Sequence, residues 1–523
     1  MEIKSILDTD LYKFSVSYAY MRLFPDAIGT FEFVDRNKSH YTEDDLDYIS
    51  YELANLSTLK LSDNEKRFMQ DRCYFIPDYY FEWLQSFKFD CRNLSISLDE
   101  ENHLHIRVTD YLYKVTLWEI PILAIVSRTQ HREDKWNIDD LYTRTSNKVH
   151  NLPYEFKVAD FGTRRRFSFE VQSEVIDKLL HDCPQNFVGT SNCYIAYLRD
   201  IKMIGTFPHE WVMFHGAMYG YDQANYLALE NWVNVYDGEL GIALSDTYTS
   251  DVFFRNFSKK HARLFDGVRQ DSGDPFQFIN KCIDRYRELN VDPLTKTIVF
   301  SDSLDFKKAV DIFNCCKGRI KCSFGIGTNL TCDLEGVKPS NIVMKLVSCQ
   351  MNSKQPVKKC IKLSDVEGKT YWISRSIAVA GFIFSKLGNN WYVLANKRGE
   401  GAPDYVGCWN CPCGYLDYDE TLSEACSREI FEETGVSIRE DELNFEEIND
   451  SLENRQNVTI RFTKFDDIGK LINQGLTSRY SEDQEVDDIK WIRVKSIDNY
   501  DWAFNHKEII KDLAKFYLNF KYE

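Results

Sequence analysis

The chain lacks most of the features that would take it out of a cell's soluble interior. Its N-terminus, MEIKSILDTDLYKF, has neither a basic stretch nor an apolar one, so no secretory leader is expected. No run of about 18 apolar residues occurs, which argues against a membrane-spanning helix. Repeats of short period and low-complexity tracts are missing too. Positive charge is outweighed: 64 Lys and Arg face 81 Asp and Glu, for a net charge of −17. A nucleic-acid partner is not expected, because phosphate backbones demand a basic face. Small anions are still allowed, since they are held by local Arg clusters, helix N-termini or Mg²⁺ whatever the net charge. The 15 cysteines are scattered and odd in number. With no secretory signal, they suggest a reduced, cytoplasmic protein rather than a disulfide scaffold.

What is present is a long globular chain. Its 523 residues exceed one ordinary core, and 43% of them are hydrophobic, so two or three domains are expected. The first 130 residues mix helical and strand patterns, among them the alternating LSISLDEENHLHIRVTDYLYKVTLWEIPI. Between about 155 and 330, short apolar runs end in Gly, Ser, Asp or Thr and alternate with segments that can be helices. They include KVADFGTRR, NFVGTSN, IKMIGTFPHEW, ELGIALSDTY, LFDGVRQDSGD, KTIVFSDSLD and IKCSFGIGTNL. Such alternation predicts parallel α/β structure, and about seven units make a barrel plausible. In a barrel, the polar residues that follow each strand share one face, where chemistry is normally done. Near residue 370 the style changes. RSIAVAGFIFSKLGNNWYVLANKR reads as a strand, a Gly-Asn-Asn turn and a strand, which opens a separate α/β domain with a boundary around Glu367–Lys369.

Three cysteines lie close together in CWNCPCG, at Cys408, Cys411 and Cys413. Cys-x-x-Cys is a common zinc half-site, but a fourth ligand is needed and no partner His or Cys is near in sequence. The other reading is of small thiols at strand ends. The residues that follow carry a clearer signal. Gly414 is followed after five residues by Glu420, after seven more by Arg428-Glu429-Ile430, and then by Glu432-Glu433 and Gly435-Val436. At i, i+3 and i+4 on a helix, Glu429, Glu432 and Glu433 share a face. Three clustered acids repel one another unless a divalent cation sits among them, and oxygen-only ligands suit Mg²⁺ or Mn²⁺. Such ions clamp a diphosphate and activate water. Arg428 can orient a carboxylate of the same helix. A solvated acidic helix face is the alternative reading.

This pattern resembles the Nudix box at every defined position. The resemblance implies an α/β/α sandwich over 370–523, metal ligands at Glu429, Glu432 and Glu433, and hydrolysis of a nucleoside diphosphate derivative. Cys413 stands where the family commonly has the first Gly of Pro-Gly-Gly. NRQNVTIRF (454–462) and WAFNHKEII (502–510) are similar to segments of ADP-ribose pyrophosphatases, which makes ADP-ribose the leading substrate. Glu485 lies where the family often finds a further acid.

The rest of the chain resembles nicotinate phosphoribosyltransferases, from DTDLYKF (8–14) to IKLSDVEGK (361–369). The order and spacing of DFGTRRR, GTSN, GTFPHEW, RQDSGD, FSDSLD and FGIGTNL carry that likeness. It implies a type II phosphoribosyltransferase. An N-terminal α/β domain would span 1–135, completed by about 335–367, with an irregular α/β barrel over 136–335. By the resemblance, Tyr12 and Phe161 stack on the pyridine ring. Arg164 and Arg269 face substrate anions, and Ser191 and Ser301 line the site. Gly325 and Gly327 take the 5-phosphate. Asp271 and Asp302 hold ribose hydroxyls or Mg²⁺-bound water, and strand-end or helix-cap Asp is their alternative. At least one of Arg164, Arg165 and Arg166 is structural, because adjacent side chains diverge. His209 corresponds to a phosphorylated His that couples ATP hydrolysis to product formation; a satisfied core His is the bland alternative. Ser191, where the nicotinamide-using relatives have Asp, favours nicotinate. The substrates implied are nicotinate, 5-phosphoribosyl diphosphate and ATP, and a homodimer is expected by the likeness. A Nudix domain that senses nucleotide without cleaving it, and nicotinamide as substrate, stay open.

Overall fold

The computed structural model describes residues 1–365, 376–402, 405–416, 420–449, 457–477 and 485–518. The expected boundary at Glu367–Lys369 and residues 454–456 of the 454–462 segment lie outside them. The chain divides into two compact units, Met1–Tyr371 and Trp372–Glu523.

The first unit has two sheets. One is antiparallel, with strands in the order Lys358–Lys359, Ile342–Gln350, Ile28–Asp35, Leu104–Tyr111 and Leu94–Leu98. The period-2 alternation of LSISL and LHIRV does what it predicts, pairing Leu94 with Val108 and Leu98 with Leu104. The alternation continues into YLYKV, but there the chain turns into the short helix Leu112–Val115. The pattern of Ile342–Gln350 is interrupted beside a bulge at Thr30/Phe31.

The second sheet is parallel throughout. Its order is Phe187–Thr190, Val158–Asp160, Lys321–Ile326, Thr297–Phe300, Gly267–Gln270 and Ile242–Leu244. Helices such as Phe169–Asp182, Pro275–Glu288 and Phe306–Cys316 connect the strands. The seventh expected run, IKMIGTF, forms no strand; Met203 makes one isolated parallel bridge to Thr190. Gly205 and Pro208 bracket its end, and neither supports a ladder. The barrel is therefore irregular, with no strand pairing among the described residues between this bridge and Ile242–Leu244. Each strand is only three to six residues long and mostly buried. Its polar C-terminal neighbours consequently emerge close together.

The second unit is built on a mixed sheet. Ser376–Leu387 pairs antiparallel with Asn390–Arg398 across a two-residue turn, where Gly388 supplies φ +60°. Its other edge runs parallel to Asn457–Asp466. Successive residues of Ser376–Leu387 feed two cores. Ala380, Phe382 and Phe384 pack with Ile510, Leu513 and Ala514 of the helix His506–Tyr517. Val379 and Ile383 pack with Ala425, Cys426 and Ile430 of the helix Leu422–Thr434. One sheet between two helices is the α/β/α arrangement, and it follows directly from the strand's period of two.

Candidate functional site

The site of the first unit is assembled at the carboxyl ends of the parallel strands. Asp160 ends one strand and is fully buried. Its Oδ2 accepts from Thr190 Oγ1 (2.7 Å) and Gln172 Nε2 (2.8 Å), and its Oδ1 accepts from Gly162 N–H (2.8 Å). Burial pushes its carboxyl up to about 6, against the pull of these donors. The network fixes two strand ends at once. Phe161 then donates its N–H to Ile326 O of the adjacent strand (2.9 Å), and its ring lies against Gly325. A Cβ at Gly325 would come within 2.3 Å of that ring, so the glycine is required by the aromatic. Gly327 precedes a helix of only four residues, Thr328–Thr331. With so few residues its dipole is small.

The N-terminal segment is docked into this rim by buried charge. Arg166 is completely buried and donates to Glu2 Oε1 (2.8 Å) and to both oxygens of Asp8 (2.7 and 2.9 Å). It is the structural member of the Arg run. Asn192 Nδ2 also donates to Asp8 (2.8 Å), Leu11 N–H to Ser191 O (2.8 Å), and Ser191 Oγ to Asp10 Oδ1 (2.7 Å). Ser191 thus sits on a carboxylate contributed from elsewhere in the chain, and burial raises the pKa of that carboxylate. This docking brings Tyr12 to the site, where its hydroxyl lies 3.5 Å from Glu119 Oε1. Arg164 and Arg165 are half-buried. Burial, and then the like charges of Arg164 and Arg36, push Arg165 down to about 10. A cluster of this kind favours an anion.

A second network spans three further strand ends and the helix His209–Tyr219. Asp271 Oδ1 accepts from Arg269 Nη2 (2.8 Å) and Ser301 Oγ (2.6 Å). Arg269 also donates to Ser301 Oγ (2.8 Å) and Thr206 Oγ1 (3.1 Å), and its guanidinium carbon lies 5.7 Å from the centre of the Phe161 ring. Asp271 Oδ2 is 3.1 Å from His209 Nε2. Burial opposes the charge of Asp271, but Arg269, His209 and Lys362 together hold its carboxyl well below the usual range. Thr247 Oγ1 is 2.9 Å from His209 Nδ1, and Lys362 Nζ is 2.7 Å from Nε2. Burial, followed by Lys362, lowers the pKa of His209, so the ring is neutral near pH 7.

Asp302 stands apart from this network. Its Oδ1 accepts from Ser303 Oγ (3.1 Å), and burial raises its pKa. Sequence reasoning missed Asp246, Thr247 and Lys362. Asp246 is fully buried. Its Oδ2 accepts from Ser272 Oγ (2.6 Å), while Oδ1 has no hydrogen-bond partner among the described residues and lies 3.7 Å from His209 Nε2. The rule that polar residues after strands share a face would have found Asp246 and Thr247 in ELGIALSDTY. No spacing in the sequence points to Lys362.

In the second unit, Gly414 is the middle residue of the short strand Cys413–Tyr415, which pairs with Ser376–Leu387. A Cβ at Gly414 would lie 2.1–2.4 Å from the carboxylate of Glu429, so this glycine makes room for the acid. The helix Leu422–Thr434 begins with a Thr421/Glu424 capping box and ends at Gly435 in the left-handed conformation (φ +74°). Arg428 is its hub. It donates to both oxygens of Glu420 (2.6 and 2.9 Å), to Glu429 (2.7 Å), to Glu432 (3.1 Å) and to Tyr415 O (2.9 Å). Glu433 accepts from Cys413 N–H (3.0 Å). Burial, then the charge of Glu429, push Glu433 up to about 8. Burial also raises Glu429, against the pull of Arg428. The three acids do not converge on a point. Among the described residues, only His209, Asp246 and Asp271 bring one ligand atom each within 4.8 Å of one another. Arg428 occupies the space between Glu429 and Glu432.

Among the described residues, the cysteines bring no group of three ligand atoms within that distance of one another. Cys411 is fully buried in the apolar core, and its N–H donates to His506 Nδ1 (3.0 Å). Cys413 Sγ accepts from Asn410 Nδ2 (3.4 Å). The zinc reading is therefore dropped in favour of packed strand-end thiols. Glu485 is described and exposed, with its carbonyl accepting from Gly399 N–H (2.8 Å).

Comparison with known proteins matches both halves. Residues 7–127 match the nicotinate phosphoribosyltransferase N-terminal domain, 156–386 the nicotinate phosphoribosyltransferase family, and 374–513 the NUDIX domain. A nicotinate phosphoribosyltransferase of Desulforapulum autotrophicum is 40% identical over 384 residues, covering 72% of this chain and 97% of the relative. One from Methanosarcina acetivorans is 38% identical over 409 residues, covering 74% and 99%. The solved structure of nicotinate phosphoribosyltransferase from Porphyromonas gingivalis is 48% identical, covers 70% of this chain and 95% of its own, and has a TM-score of 0.68. The chain belongs to the nicotinate phosphoribosyltransferase family and carries a Nudix hydrolase domain after it.

Proposed function

We propose that the first unit makes nicotinate mononucleotide from nicotinate and 5-phosphoribosyl diphosphate with ATP hydrolysis coupled through His209, and that the second hydrolyses ADP-ribose or a close relative. The observation that carries the transferase reading is the joint network of His209, Asp271, Arg269 and Ser301 beside the Phe161 ring. Phe161 and Tyr12 offer aromatic faces to the pyridine, and Arg164 and Arg269 offer cations to its carboxylate and to phosphates. Gly325 and Gly327 let the backbone approach the 5-phosphate. The neutral imidazole of His209 is a competent nucleophile toward a γ-phosphate, and the Lys362 ammonium beside it offsets incoming negative charge. Asp302, outside the network, faces the ribose in this reading. Replacement of His209 by Asn tests the coupling. ATP stimulation should vanish while slow ATP-independent transfer persists; unchanged stimulation would refute it.

For the second unit, the carrying observation is Glu433 buried beside Glu429. Two buried carboxylates repel each other, and a hard divalent cation relieves that. Glu429, Glu432 and Glu433 offer oxygen-only donors of the kind that suits Mg²⁺ or Mn²⁺, and they would hold the ion in place of the bonds that Arg428 now makes to Glu429 and Glu432. When bound, the ion supplies charge neutralisation for a diphosphate and a lowered water pKa. ADP-ribose suits the pairing of activities: cleavage gives AMP and ribose 5-phosphate, and the latter can feed synthesis of the phosphoribosyl donor. Incubation of the purified chain and Mg²⁺ with ADP-ribose, dinucleotides and nucleoside triphosphates is the test. Tight binding without any turnover would leave the sensing role instead.

A further inference from the structure

Two exposed aromatic side chains of the second unit have a backbone that such residues rarely adopt. Tyr405 has φ +50° and Phe504 has φ +54°. For a bulky residue this is a true outlier and a source of backbone strain. Burial does not repay it, because Tyr405 is 51% exposed and Phe504 40%. The two residues are 99 positions apart, yet their ring centres are 4.9 Å apart at 58°.

The surrounding structure holds them there. Trp409 N–H donates to Asp501 O (2.8 Å) and Ala503 N–H to Trp409 O (2.7 Å), which ties the two segments together. Cys408 N–H closes a turn onto Tyr405 O (3.0 Å). Behind Phe504, the His506 ring lies 5.3 Å away, fixed by its bond from Cys411 N–H. The guanidinium of Arg398 lies 5.4 Å from the centre of the Phe504 ring, and its charge also acts on Glu433 and Cys413. The aromatic pair therefore borders the acid cluster, with one cation between them.

We propose that Tyr405 and Phe504 form the platform on which the second unit seats the aromatic base of a nucleoside diphosphate. A rigid, half-exposed aromatic pair stacks on the π-face of a base without needing its hydrogen-bonding edge. Arg398 bridges the platform to the carboxylates, over which the diphosphate lies. The proposal rests on the reading of this unit as one that takes a nucleoside diphosphate.

Glycine replacements test it cleanly, because glycine adopts positive φ without strain and removes the ring. In Tyr405→Gly and Phe504→Gly, KM for ADP-ribose should rise about tenfold or more with kcat nearly kept, and the melting temperature should hold or rise. A photolabel, 8-azido-AMP, provides a readout that needs no turnover. It should mark peptides containing Tyr405 or Phe504, and ADP-ribose but not ribose 5-phosphate should protect them. Wild-type KM in both variants, or no label on these peptides, overturns the platform. A falling melting temperature with unchanged KM overturns it too, by making the pair structural. Specific labelling without hydrolysis of any nucleoside diphosphate keeps the platform and refutes only the hydrolytic reading.

Discussion

Asp271 and Glu433 are both nearly buried carboxylates, one in each unit, and they are driven in opposite directions. Burial disfavours the charge of both. For Asp271, the charge of Arg269, the bond to the His209 ring and the charge of Lys362 outweigh it, and the carboxyl is held well below its usual range. For Glu433, the neighbouring Glu429 adds to the burial, the Cys413 N–H and Arg398 offset only part, and the carboxyl rises to about 8. The difference is one of charge balance. The transferase network carries its own counter-ions, as do Arg166 with Glu2 and Asp8, and Lys13 with Glu119 and Glu210. It is preorganised in the ligand-free chain. The Nudix acids are left with a surplus of negative charge that the unit's own cations do not cancel. One set of carboxylates is balanced by the chain's own cations, and the other, in the reading proposed above, would be balanced by a bound divalent ion.

The largest expected effect follows from that contrast. Replacing Glu433 by Gln removes a charge that a divalent ion needs. ADP-ribose turnover should fall on the order of 10³-fold, while nicotinate transfer by the same protein stays at the wild-type rate. Parallel assays of both reactions on one preparation check this. Hydrolysis that survives would mean Glu433 is not where the ion is held. Next comes Arg166→Met. Removing one partner of a buried pair leaves Glu2 and Asp8 uncompensated, at a cost of about 3–5 kcal/mol. The melting transition of the transferase unit should drop by several degrees or more. Asp271→Asn sharpens the comparison from the other side. It frees Arg269 and His209 of their common acceptor, and nicotinate transfer should fall about 100-fold. If kcat/KM barely changed, preorganisation by Asp271 would be the wrong account.

The contrast was only half legible in the sequence. Runs ending in small polar residues marked the parallel strands, since a short buried strand has to be apolar and its end has to turn. The Nudix helix was fixed by Gly414, Arg428 and Gly435, each of which answers a local demand: room for Glu429, a bridge among carboxylates, and a left-handed cap. The IKMIGTF run misled, because its apolar character serves packing and a single bridge rather than a ladder. Asp246 and Lys362 reach His209 across 37 and 153 positions. That is a property of tertiary closure, to which local patterns are blind. The direction in which Glu433 is driven was legible only in outline. Spacing put three acids on one face, but it could not show Arg428 lying among them or the depth at which Glu433 is buried.

The smallest effect is also the one that reads the charge imbalance most directly. A carboxyl whose pKa is raised on folding binds a proton more tightly in the folded state. For Glu433 the ordinary value is near 4.5 and the folded value about 8. Its contribution to stability is therefore full below about pH 4.5 and is lost as pH rises toward 8. In chelator, the melting transition of the second unit should decline across that window, by about 1–3 kcal/mol of stability between pH 5 and 8. Glu433→Gln should flatten the decline, because the neutral amide has no charge to bury. Mg²⁺ should flatten it too, and more strongly toward pH 8, where the carboxylate is ionised and available to the ion. Asp271 has the opposite sign: its depressed pKa gives stability that is kept above the usual carboxylate range and lost only in acid. The two carboxylates should thus contribute with opposite pH dependence: Glu433→Gln should change the second unit's transition most toward alkali, and Asp271→Asn the first unit's most toward acid, relative to the parent protein. Differences of the same sign in both variants would remove the distinction between a site that carries its counter-ions and one that borrows them.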